Sequence, residues 1–213
     1  MEPWSATNAL PRYSAGNRAP VSASLRWMAL GGMCGGAAGN ALALFVVPWT
    51  VDRGVGMEAA GAFLASSALL VFVLRVAAGW FADRRMSSGH PEMIALLALG
   101  AVACAVLAGA DSRALAMVAM TAAMLGAWGW PGLVYFTVVR IHPEMPARAS
   151  GVVLAANLSG TMMGPIAVGL LADRGMYPQA WGMCGVLSAI GAVAMTRSRA
   201  AYRRRTTQAP SGA

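Results

Sequence analysis

Arg75 stands in an otherwise uncharged apolar run, ALLVFVLRVAAGWF. Its guanidinium stays charged and presents five N–H donors in a rigid fork, a geometry suited to carboxylate or phosphate oxygens. Such a charge is costly inside hydrocarbon unless it is paired or hydrated, so Arg75 faces protein or water. It either contacts a substrate or ion, or it is structural, snorkelling to headgroups or bracing Asp83 eight residues on. Asn40 and Asn157 are the other conspicuous polar residues inside apolar runs. Each can donate and accept, so each either lines a polar cavity or bonds across a helix seam. Trp128 and Trp130 lie in GAWGWPG, where Pro131 removes a backbone donor and Gly126, Gly129 and Gly132 loosen what remains. The helix should bend there, with Pro165 as a second kink position. The two tryptophans either line a cavity or fill packing space.

Other chemistries lack their residues. No Asp, Glu or His lies deep in an apolar run: Asp83 and Asp173 fall at run ends, and His90 and His142 fall between runs. These runs therefore offer no proton relay. No nucleophile is paired with a base, and there is no metal-ligand set or phosphate loop, so neither an enzyme nor a cofactor is expected. Cys34, Cys104 and Cys184 fall in three different apolar runs without CxxC spacing and read as buried free thiols.

The elements that must position these residues are membrane spans. Hydrophobic residues make up 58% of the chain and charged ones 11%, where a soluble domain carries about a quarter charged. Residues 1–26 read as a flexible polar tail or linker, 27–196 as a transmembrane domain and 197–213 as a basic tail. The spans are expected at 27–49, 58–82, 93–110, 114–139, 149–172 and 180–196, each near the length a bilayer of about 30 Å requires. Trp27, Trp49 and Trp181 sit at run ends, where interfacial aromatics are favoured. The formal charge is +8, carried on the basic side by arginine alone. Most arginines lie in short loops, which argues against nucleic-acid binding and for a topology signal. Twelve fall on one side, and Arg53, Arg113 and Arg174 on the other. The excess puts both termini in the cytoplasm of a multi-pass protein of the cell membrane.

Two segments repeat. RVAAGWFADRR and PIAVGLLADRG align Gly79, Ala82, Asp83 and Arg84 with Gly169, Ala172, Asp173 and Arg174 at an offset of 90 residues. Three spans separate the copies, so one ends at each membrane face. That is how a three-plus-three inverted repeat appears in sequence. The alternative is that Gly-x-x-x-Asp-Arg simply suits a helix end.

The first copy resembles the cytoplasmic-loop signature of the major facilitator superfamily, with Gly79, Asp83, Arg84 and Arg85 in matching places. GAWGWPGLVYFTVVR and ASGVVLAANLSGTMMGPIAVGLLADRG resemble that family's tenth and eleventh helices. The resemblance runs from Trp27 to Thr196 and covers the family's C-terminal six helices. It implies an all-α fold, half of a twelve-helix carrier, with Arg75, Asn40 and Asn157 on helices that border a central cavity. Arg75 occupies the place, four residues before the signature glycine, where some anion-transporting relatives bind substrate. The resemblance implies alternating-access transport of a small solute, anionic if Arg75 holds it. The carrier would be a fragment, or a half that pairs with a second six-helix half or with itself, in contact with membrane lipid. The competing reading is a non-transporting accessory protein or an inactive remnant.

Overall fold

The computed structural model describes residues 21–84 and 88–208, and among them every regular element is a helix. The helices are α1 (Ala23–Asp52), α2 (Met57–Arg84), α3 (His90–Ala108), α4 (Arg113–Gly129), α5 (Pro131–Ile141), α6 (Pro146–Ala172) and α7 (Tyr177–Gln208). With α4 and α5 counted as one broken helix, six are long and apolar enough to cross a membrane. The helical form follows from the solvent, because lipid offers backbone groups no partners and the chain must satisfy them within each segment. Local chemistry sets the starts. Ser22 and Ser112 cap α1 and α4, their hydroxyls accepting from Leu25 N–H and Leu115 N–H at 3.2 Å each. Gly89 precedes α3 at φ 76°, where a Cβ would also strike the Thr137 side chain.

α1 is the central post. Its glycines turn different faces to different neighbours: Gly31 to Met195 of α7, Gly35 to Trp130 and Leu97, Gly39 to Trp128, and Gly36 to Asn157 of α6. The tightest crossing is with α6, where a Cβ at Gly160 would overlap the Met33 carbonyl and one at Gly164 the Ala37 carbonyl. Small residues four apart allow such backbone approach, which gives packing its leverage where lipid removes the hydrophobic drive between helices. α6 continues through Pro165 without interruption.

The core forms two clusters. One gathers Leu42, Met120 and Met124 around Trp49 and Trp181, whose rings meet edge to face at 6.0 Å. The sequence placed both tryptophans at an interface; each is 1% exposed, because they cover one another between α1 and α7. The second cluster packs Met28, Leu97, Val134 and Met195 around Trp130. α2, by contrast, buries only Ala60, Ser67, Val71 and Ala82, and turns Leu69, Phe72, Val73 and Val76 outward.

Two features add to the sequence expectations. Residues 197–208, read as a tail, continue α7. Nothing from Arg197 to Gln208 is Gly or Pro, so a helix already nucleated in the membrane propagates through good helix formers. His90 begins α3 and His142 lies between α5 and α6, and both are buried, at 0% and 2% exposed. The remainder of the proposed N-terminal and C-terminal tails, residues 1–20 and 209–213, lies outside the described residues.

Candidate functional site

The site grows from the break between α4 and α5. Pro131 has no N–H, so the Ala127 carbonyl four residues earlier loses its usual donor. The last carbonyls of α4 are likewise without intrahelical partners. Two side chains make up the loss. Trp130 Nε1 donates to the Ala127 carbonyl at 2.8 Å. Arg75, reaching across from α2, donates to the Trp128 carbonyl from Nε at 2.8 Å and from Nη2 at 2.6 Å. Its guanidinium carbon lies 5.4 Å from the Trp128 ring centroid, within range of a cation–π attraction. Two of five donors are thereby engaged, which leaves three for something else.

Beside this fork lies a cavity of about 210 Å³. Arg75, Gly79, Ala82 and Asp83 of α2 line one wall, and Gly129, Gly132, Leu133 and Phe136 line the other. A Cβ at Gly79 or Gly132 would meet nothing within 4 Å, so these glycines leave open space. Arg75 directs its fork at the Trp128 carbonyl and not at Asp83. Arg84 lies 3.9 Å over the Trp80 ring at the end of α2. Arg85 falls outside the described residues.

The sequence candidates thus separate into two groups. Arg75, half-buried Trp128, Gly79 and Asp83 come together around the Pro131 break. Trp130 does not line this cavity: it is fully buried, and its indole N–H is occupied. Asn40 and Asn157 lie elsewhere, in the seam between α1 and α6. Asn40 Nδ2 donates to the Thr161 carbonyl at 2.8 Å and Asn157 Nδ2 to the Gly32 carbonyl at 3.2 Å. One bond runs each way across the seam.

A model of the Major Facilitator Superfamily matches residues 28–212. The chain belongs to the Major Facilitator Superfamily. It is a multi-pass membrane protein of that family. Its fold is similar to the solved E. coli fucose:proton symporter, with a TM-score of 0.69 at 16% identity over 82% of this chain and 42% of that one. The chain therefore spans less than half the length of that structure. Among curated proteins none matches it in sequence.

Two polar groupings escaped the sequence. His90 Nε2 lies 3.2 Å from Ser198 Oγ, which is 3.0 Å from Ser24 Oγ, tying α3, α7 and α1 together. His142 Nδ1 lies 3.7 Å from Glu144 Oε1, to which Arg205 Nη2 donates at 3.2 Å. Burial pushes His142 below its ordinary value, Glu144 opposes this and Arg205 reinforces it. The Glu144 carboxyl is held below its ordinary value, first by its own backbone N–H and further by Arg205 and His142. A histidine facing a serine 108 residues away leaves no local signal in sequence.

Proposed function

We propose that this chain forms one half of a secondary carrier that moves a small solute by alternating access, rocking against a second six-helix unit, with Arg75 as the solute-facing cation. The observation that carries the reading is the guanidinium fixed by the helix break at the wall of a cavity, with three donors unspent. A fork held in place suits a carboxylate or phosphate, so the solute is an anion. Family membership and the fold shared with a fucose:proton symporter support transport as the activity. Proton coupling would need a titrating group on the second unit, since every carboxylate among the described residues lies at a helix end or in a turn. The arginine asymmetry supports an orientation in the cell membrane with both termini on the cytoplasmic side. The Gly-x-x-x-Asp-Arg recurrence that closes α2 and caps α6 supports an inverted repeat.

The alternative is a non-transporting membrane interaction protein. It is favoured by one fact: the bonds to the Trp128 carbonyl are by themselves a sufficient structural task for Arg75. A thermal-shift panel of small carboxylates, phosphates and neutral sugars on the purified chain separates the two. The carrier reading expects an anion to stabilise the wild type and Arg75→Lys, which keeps charge and loses the fork, to weaken that effect. Arg75→Gln should abolish it, at a stability cost of about 1 to 3 kcal/mol from the lost charged hydrogen bonds. No stabilising solute, with Arg75→Gln only less stable, supports the interaction protein.

A further inference from the structure

At the end of the bundle where α1 begins, a cleft separate from the carrier cavity opens between α1 and the extension of α7. It encloses about 660 Å³, with Trp27 on one side and Arg197, Ala200 and Arg204 on the other. A second hollow of about 370 Å³ shares Trp27 and continues past Arg26 to Leu30. Clefts of this size hold molecules of headgroup dimensions. Arg197 and Arg204 line the first hollow and Arg26 the second, and the two adjoin at Ala23 and Trp27. Arg197 lies 5.8 Å from the Trp27 ring centroid. Among the described residues no carboxylate lines either hollow, and the side chain of Glu144 is engaged with Arg205 instead.

Three arginines around two adjoining hollows, with no carboxylate in either lining, call for an anion. The walls say more about its shape. Leu30 lies one helical turn deeper into the span than Arg26, and Trp27 is an aromatic of the kind that settles at headgroup depth. The ligand therefore needs a charged head at the arginines and an apolar chain beside Leu30 and Trp27. A freely soluble anion would leave that apolar wall unused.

We propose that this cleft is a binding site for an anionic phospholipid, its phosphate held by Arg26, Arg197 and Arg204 and an acyl chain lying along Trp27 and Leu30. Basic pockets between transmembrane helices bind such headgroups, and each arginine near the surface contributes about fivefold in affinity. The site clamps the start of α1 to the extension of α7.

The test places the full-length chain in phosphatidylcholine nanodiscs with increasing fractions of phosphatidylglycerol and follows the thermal unfolding midpoint. Phosphatidylglycerol should stabilise the wild type saturably. R26Q/R197Q/R204Q should require on the order of a hundredfold more lipid for the same effect, while R113Q/R174Q, altered on the opposite side of the topology, should behave as wild type. Should the triple variant not fold, R26Q and R204Q, both at exposed positions, are each expected to weaken the response about fivefold. Variants that keep the wild-type lipid dependence overturn the proposal. So does full stabilisation by millimolar inorganic phosphate in pure phosphatidylcholine, which would make the ligand a free anion.

Discussion

Arg75 braces the helix break and lines the cavity beside it. Nε and Nη2 donate to the Trp128 carbonyl at the end of α4, and the same side chain forms part of the cavity wall. A residue that braces the wall it lines is fixed before ligand arrives, which reduces the ordering cost of binding. The His142, Glu144 and Arg205 grouping gives this scale its pH prediction. Folded His142 resists protonation more than the unfolded chain does, so stability declines as pH falls below the unfolded imidazole value of about 6.5. Glu144, whose folded value is depressed, contributes stability above its unfolded value and loses it as pH falls through the lower folded one. Both act in the same direction. Thermal unfolding at about pH 7.5 and about pH 5.5 should therefore show a drop for the wild type and a smaller drop for His142→Asn. Equal drops would exclude His142 as a source of the pH dependence. Arg75 was legible in sequence because a charge in an apolar run is conspicuous, but its acceptor was not, since nothing local says which carbonyl faces α2. The two asparagines were legible as polar anomalies. Their role in the α1–α6 seam depended on helix rotation, which composition does not encode.

Helix crossings decide which elements tolerate change. At the α1–α6 seam the backbones approach closely enough that a side chain on Gly160 or Gly164 would collide with a carbonyl, and backbone cannot move aside as a flexible side chain can. Gly164→Leu should cost about 3 kcal/mol or more, or prevent folding outright. Gly79→Ala, which enters open space, should leave the folded yield unchanged. Size-exclusion profiles of the two detergent-solubilised variants check the contrast, and equal tolerance would contradict the crossing. The helices themselves were readable because long apolar runs have one stable form in lipid. Their ends were less so. The charge that closes a membrane run does not close a helix, and α7 continues through five arginines, from Arg197 to Arg205. Residue type suggested a bend at Pro131, and it is there that the span divides, α4 ending at Gly129 and α5 starting at Pro131. Trp49 and Trp181 went the other way: their places at run ends suggested lipid interface, while mutual packing buries them.

For the whole molecule, the uneven burial of the helices is the informative feature. α1 is enclosed by its neighbours, whereas α2, which carries Arg75 and the Asp83–Arg84 end, is mostly exposed. The cavity beside Arg75 is accordingly bounded on this chain by α2 and the broken helix alone. A second unit covering that side would complete an enclosure, and rocking of the two units would open it alternately to each face. Gly132 reports on this directly, because it lines the cavity and has open space for a side chain. The chain's own cysteines, Cys34, Cys104 and Cys184, are buried and give little background. The decisive measurement is labelling of Gly132→Cys by a membrane-impermeant maleimide in right-side-out and inside-out vesicles of the native membrane. Alternating access predicts labelling from both faces, and labelling confined to one face would contradict it.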